Sequence, residues 1–186
     1  MDTGVATLVA AIVAAFSGVL SLVITTVFNW TSLQRNAHRD LLAPYMSTLS
    51  KELHQIIACS DMISRAKSDE SVKSWNDRAA ESQSQLKSIR TELRYPLWGV
   101  DVGLQTLTRL PNWIKNARKH PDVTKNLLEH GDKLGELIDL IILDCYKRGL
   151  PPSVIGRWRV KRRAQKLRTE FRSFGEKRRA RPHQKA

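Results

Sequence analysis

The side chains that could perform chemistry in this sequence are few, and they do not form a recognisable site. Its five histidines, at positions 38, 54, 120, 130 and 183, include no pair with the spacing of zinc ligands. Cys59 and Cys145 are far apart in the sequence, and neither has a histidine beside it. The glycine-rich phosphate loops and the metalloprotease and serine-hydrolase motifs are also missing from the sequence. We therefore predict that the protein is not an enzyme and uses no metal or cofactor.

The residues suited to binding are concentrated in a basic segment near the C-terminal end of the sequence. Of the 186 residues, the first 146 contain 16 Lys or Arg and 16 Asp or Glu, so their charges cancel. Residues 147–186 contain 15 basic and 2 acidic side chains, which accounts for the whole net charge of +13. This distribution predicts a near-neutral body with a cationic segment that attracts phosphate-bearing partners.

Residues 151–175 are predicted to form a basic amphipathic helix, with Ser153 as its N-cap. One face of this helix carries an apolar stripe, made of Val160, Ala164, Leu167, Phe171 and Phe174. Residues 176–186 lack packing side chains and are predicted to be a disordered basic tail. The residues predicted to bind anionic lipid or phosphate are Arg157, Arg159, Lys161, Arg162, Arg163, Lys166, Arg168, Arg172, Lys177, Arg178, Arg179 and Arg181.

Three interpretations of the basic helix compete. It is a membrane-interface helix with its stripe among the headgroups, a helix docked on the rest of the protein, or a phosphate-backbone binder of DNA or RNA. Each basic residue near an anionic membrane contributes about 1 kcal/mol, which favours lipid. We rank lipid first, docking second and nucleic acid third, and docking is compatible with lipid binding.

A long apolar segment near the N-terminus is predicted to span a membrane. No charged residue occurs from Thr3 to Gln34, and the 24 residues 5–28 would form a helix of about 36 Å against a hydrocarbon core of about 30 Å. A cleaved signal peptide fits less well, because Asp2 precedes the segment and the apolar stretch is too long. Arg35 and Arg39 follow it, so the positive-inside rule predicts a plasma (inner) membrane protein with its N-terminus outside and its C-terminal part in the cytoplasm.

Small residues recur every four positions within the predicted span, at Ala10, Ala14 and Gly18. Such spacing lets two membrane helices approach closely, and nearby hydroxyl groups could bond across the contact. Ala and Gly are also common in membrane helices generally. The sequence therefore supports a helix-pairing face and ordinary membrane-helix composition equally. A homo-oligomer or a partner helical protein is the predicted protein partner.

Residues 36–150 are predicted to form a cytoplasmic all-α domain. Apolar residues recur at three- and four-residue spacing through four segments, residues 39–65, 71–94, 100–119 and 122–148. Pro111 either kinks or divides the third segment. The pattern fits an antiparallel bundle and equally an oligomeric coiled coil.

Counting helix directions predicts where the segments meet. If each segment reverses, the turn at residues 95–98 and the end of the fourth segment both return towards the membrane. The basic helix would then emerge near lipid. This prediction fails if the chain reverses its direction at Pro111, because the third segment would then count as two.

These features predict a non-enzymatic, single-pass membrane protein that acts as a scaffold or accessory subunit, with its basic helix on an anionic membrane surface. Two alternatives remain: a membrane tether for DNA or RNA, and a small membrane-perturbing effector such as a toxin or phage-interference factor. Salt-sensitive duplex binding would distinguish the first, and dye leakage from vesicles the second.

Overall fold

The computed structural model describes residues 3–93, 97 and 99–180, with side chains from residue 11 to residue 176. Every regular element in these ranges is helical, which confirms the all-α prediction. The helices are α1 (Thr3–Leu42), a single 3₁₀ turn (Ala43–Tyr45), α2 (Met46–Arg65), α3 (Asp69–Glu92), α4 (Asp101–Leu107), α5 (Leu110–Ala117), α6 (Pro121–Arg148) and α7 (Val154–Ala180). The chain divides into two compact units, an N-terminal unit (Met1–Ala37) and a helical domain (His38–Ala186).

The N-terminal unit is a helix with an exposed apolar surface. Every side chain from Ala11 to Trp30 is exposed, unlike those of a core helix in a soluble domain. Within the described residues, this is the one helical stretch long and apolar enough to cross a membrane, a test that a signal sequence also passes. The Ser17, Thr25 and Thr26 hydroxyls donate to the carbonyls of Val13, Ser21 and Leu22 at 2.6, 2.8 and 2.7 Å. These hydroxyl groups are therefore satisfied within their own helix, as an apolar environment requires.

Local signals explain where the helices of the domain begin and end. The Ser68 hydroxyl accepts a bond from the Ser71 N–H at 3.2 Å and caps α3, and Ser153 caps α7 through the Gly156 N–H at 3.1 Å. Gly149 ends α6 in the left-handed conformation, with φ of 62°. Pro111 lies in the first turn of α5, so it divides the third predicted segment rather than kinking it.

The domain core is built from the residues that the helical spacing picks out. The exposed fraction is 1% or less for Leu53 and Ile56 of α2, Leu86 of α3 and Leu134 of α6. Helix α2 lies along α3 and also contacts α5 and α6, while α7 packs on α4 and α6. One continuous apolar cluster therefore joins α2 through α7.

The start of the domain lies against the end of α6. The Arg39 side chain donates from Nε to the Tyr146 carbonyl at 3.2 Å and from Nη2 to the Lys147 carbonyl at 2.6 Å. These carbonyls belong to the last turn of α6, whose C=O groups lack partners within the helix. The return of the fourth segment towards the membrane stays a prediction from the sequence. The turn at residues 95–98 lies outside the described residues, apart from Leu97, which is buried.

Candidate anion-binding cleft

Helix α7 turns its apolar stripe into the domain. Val160, Ala164 and Leu167 are completely buried, and Phe174 is nearly so. Phe171 stacks on Trp113 of α5 with ring centroids 4.9 Å apart. The expectation that the stripe lies among lipid headgroups is therefore corrected to docking on the domain. The physical reason is that α4 and α6 leave an apolar face that only α7 covers.

Gly103 allows α7 to approach this closely. A Cβ atom on Gly103 would lie 2.6 Å from Cγ1 of Val160 and 2.7 Å from Cδ1 of Ile138. Carbon atoms prefer separations of about 3.5–4.0 Å, so a larger residue fits only if these side chains or their helices shift.

Two of the predicted anion-binding residues contact other parts of the domain. Arg168 donates from Nε to the Thr106 hydroxyl at 3.0 Å and from Nη2 to the Val102 carbonyl at 3.5 Å. The Arg157 side-chain stem lies so close to Gly99 that a Cβ there would be 2.4 Å from Cδ of Arg157. Both arginines are partly buried, so these contacts give them a structural role, and their binding of an anion stays a prediction from the sequence.

The remaining basic side chains of α7 with described positions point outwards. They are Arg159, Lys161, Arg162, Arg163, Lys166 and Arg172, and all six are exposed. The side chains of Lys177, Arg178 and Arg179, and the whole of Arg181, lie outside the described residues. Helix α7 itself continues through Gly175 to Ala180, beyond the predicted end of the helix. Glu176 carries an oxygen 3.9 Å from Nε of Arg172 one turn earlier, a pairing that favours this extension.

Four of these cations meet residues of α6 around a cleft of about 640 Å³. We name it the basic cleft, and it is lined by His130, Lys133 and Leu137 of α6 and by Trp158, Arg159, Arg162, Arg163 and Lys166 of α7. Among the side chains that the structure describes, no carboxylate is part of this lining. The Arg162 guanidinium lies 5.2 Å from the centre of the Trp158 ring, which holds this cation against an aromatic wall.

The charge of the basic cleft depends on His130. Burial, and then the positive charge of Lys166, lower the pKa of His130, while Glu170 and Glu129 oppose this shift. Its Nε2 lies 4.0 Å from a carboxylate oxygen of Glu170. His130 is therefore neutral near pH 7, and a bound anion that offsets Lys166 would favour its protonation.

This arrangement is suited to holding an oxyanion. Guanidinium groups present planar donor pairs that match phosphate oxygens. The basic helix was predicted from sequence, but His130, Lys133 and Leu137 were missed as cleft residues. Their spacing of three and four residues places them on one face of α6, yet only the position of α7 shows that this face lines the cleft.

The two cysteines are free thiols in the interior of the domain. Both Cys59 and Cys145 are buried, and burial raises the pKa of the Cys145 thiol to about 11. Within the described side chains, no three metal-binding residues group together.

Comparison with known proteins gives no further assignment. No family model, no curated protein and no solved structure matches this chain. The class that the fold and the site define is therefore an all-α domain that carries a basic cleft and follows an apolar helix.

Proposed function

We propose that this chain is a single-pass membrane protein and a non-enzymatic scaffold or accessory subunit. Its helical domain would attach to the anionic surface of the membrane through the exposed cations of α7. In this proposal α1 is the anchor, and the domain lies in the cytoplasm with the N-terminus on the other side. Pairing of two copies through Ala10, Ala14 and Gly18 stays a prediction from the sequence.

The observation that carries the proposal is the orientation of α7. Its apolar stripe is buried, so its surface cations are fixed on a folded scaffold rather than spread along a loose tail. Four of them converge with Lys133 on the basic cleft. The backbone that carries these cations is already ordered, so binding a phosphate does not have to order it, which favours binding.

The membrane-perturbing alternative is less favoured by the same observation. A helix that disturbs a bilayer inserts its apolar face, and the stripe of α7 is already used in the domain core. The nucleic-acid alternative uses the same cations as the lipid proposal, so it is best separated by experiment.

The test compares two fourfold variants of a fragment covering residues 36–186. The cleft variant carries Arg159→Gln, Arg162→Gln, Arg163→Gln and Lys166→Gln. The matched control removes the same charge from exposed lysines of α2, α3 and α5, with Lys51→Gln, Lys73→Gln, Lys87→Gln and Lys115→Gln. Binding is measured by co-sedimentation with vesicles of phosphatidylcholine, with or without phosphatidylglycerol, and by titration with duplex DNA.

We expect the wild-type fragment to bind the phosphatidylglycerol vesicles and the cleft variant to bind at least about tenfold more weakly. Each lost cation removes about 1 kcal/mol, and about 1.4 kcal/mol corresponds to a factor of ten. The control variant should stay close to wild type at about 0.15 M salt, where charges beyond about 8 Å are screened. Equal losses in both variants, or tighter binding to DNA than to vesicles, would contradict the proposal.

A further inference from the structure

The exposed apolar side chains of the helical domain are gathered at one corner. In its described part, eight large hydrophobic side chains are exposed. Six of them lie within 19 consecutive positions and are named here the apolar corner: Leu140, Leu143, Leu150, Val154, Ile155 and Trp158. Val154 is 72% exposed, Leu140 65% and Ile155 64%. Exposed apolar side chains gathered in this way mark a contact site, whereas singly scattered ones are ordinary solvent-facing surface.

The chain reversal between α6 and α7 holds these side chains together. The Leu150 N–H donates to the Cys145 carbonyl at 3.2 Å, and a Cβ on Gly156 would lie 3.4 Å from Cδ1 of Ile141. The last turns of α6 and the first turns of α7 therefore lie side by side. Trp158 also lines the basic cleft, so the apolar corner and the basic cleft share a border.

The apolar corner lies where the chain enters the domain from α1. Arg39 binds the carbonyls of Tyr146 and Lys147, in the α6 turn between Leu143 and Leu150. The seventh exposed hydrophobic side chain, Leu41, lies in α1 and is not part of the apolar corner. The eighth, Met62, lies near the end of α2.

We propose that the apolar corner inserts into the lipid bilayer and so lays the domain on the membrane by an apolar contact. This inference rests on the proposed function, since it requires α1 to be a membrane anchor. A Trp and aliphatic side chains bordered by Arg and Lys are the composition that favours the boundary between headgroups and acyl chains. A second copy is a poorer occupant, because a symmetric contact would bring Arg159 and Arg162 of both copies together.

The test uses the full chain reconstituted into vesicles of phosphatidylcholine. A polarity-sensitive fluorophore is attached to a cysteine introduced by Ile155→Cys or, as the matched control, by Met62→Cys. Both positions are exposed, so neither substitution disturbs the core. The unsubstituted chain, whose two cysteines are buried, is the labelling blank. Quenching is measured with phosphatidylcholine that carries a nitroxide on its acyl chain.

We expect the label at position 155 to emit as in an apolar environment and to be quenched several-fold more strongly than the label at position 62. The quenching should persist at about 1 M salt, where the Debye length is about 3 Å, because the contact is apolar. Equal, weak quenching at both positions would overturn the inference. A label that is shielded but not quenched would overturn it too, because a protein would then cover the corner.

The inference and the proposed function can fail separately. If the label at position 155 is unquenched while the cleft variant still loses its preference for anionic vesicles, only the insertion fails. If quenching persists but the cleft variant binds anionic vesicles like wild type, the role of the basic cleft fails and the insertion stands. Release of the chain from vesicles by alkaline carbonate would overturn both.

Discussion

At the scale of single residues, His38 is a buried polar side chain whose lost hydration is not replaced by hydrogen bonds. It is 7% exposed, and neither ring nitrogen has a hydrogen-bond partner among the residues that the structure describes. Burial lowers its pKa, because the charged imidazolium has lost its hydration. The folded domain therefore takes up a proton on His38 less readily than the unfolded chain does.

This difference makes the stability of the domain depend on pH. As the pH falls below about 6.5, the unfolded chain binds a proton before the folded domain does, so the free energy of unfolding decreases. His130, whose pKa is also lowered, contributes with the same sign. We predict that His38→Leu reduces the loss of stability between about pH 7.5 and pH 5.5, measured by urea unfolding of residues 36–186.

The matched control for this prediction is His54→Gln. His54 is exposed and its Nδ1 lies 2.8 Å from the Ser50 carbonyl, so its substitution removes one histidine without opening a cavity in the core. If the free energy of unfolding of the His38→Leu variant falls with pH as steeply as that of wild type, His38 does not cause the pH dependence.

Residue-scale prediction from sequence succeeded where periodicity decides. Leu49, Leu53 and Ile63 of α2 are buried as their three- and four-residue spacing indicates. It missed the contacts of Arg168 with α4, because a long cationic side chain can point to solvent or reach a carbonyl on a neighbouring helix. That choice depends on where α4 lies, and helical spacing within α7 carries no information about it.

At the scale of elements, the contact of α7 with α4 and α6 depends on one close approach. Gly103 faces Val160 and Ile138, whereas a Cβ on Gly175 of α7 would meet nothing within 4 Å. Both glycines lie inside helices, so alanine gains about 1 kcal/mol or less of helix propensity at either position. Only at Gly103 does a methyl group also overpack the contact.

We predict that Gly175→Ala leaves the domain as stable as wild type or slightly more stable. Gly103→Ala should be less stable than Gly175→Ala by about 1–3 kcal/mol, the usual cost of overpacking. Urea unfolding followed by circular dichroism measures the difference. Equal stability of the two variants would mean that α7 does not pack on α4 as described.

At the scale of the whole molecule, the basic segment is part of the fold rather than an attachment to it. Charge distribution alone predicted a near-neutral body ending near residue 150 and a separate cationic segment. The segregation of charge is real, but Val160, Ala164 and Leu167 complete the core. Composition shows which residues are charged, but it does not show which helices the apolar residues among them pack against.

We predict that removal of α7 unfolds the domain. A fragment of residues 36–150 loses several buried side chains, and replacing one such leucine by alanine already costs about 2–5 kcal/mol of a total near 5–15 kcal/mol. The fragment should show no cooperative thermal transition, while a fragment of residues 36–175 keeps it. A sharp transition in the shorter fragment would show that the core is complete without α7.

The position of α7 in the chain also sets an order of events during synthesis. The apolar part of α1 leaves the ribosome before any core residue of the domain, and α7 leaves after every helix that it covers. Until then the apolar faces of α4 and α6 stay open, since translation proceeds from the N-terminus. Under the proposed function, the newly made chain would reach the membrane while its domain is still incomplete. Chaperones that shield apolar surface would have their longest access at that stage.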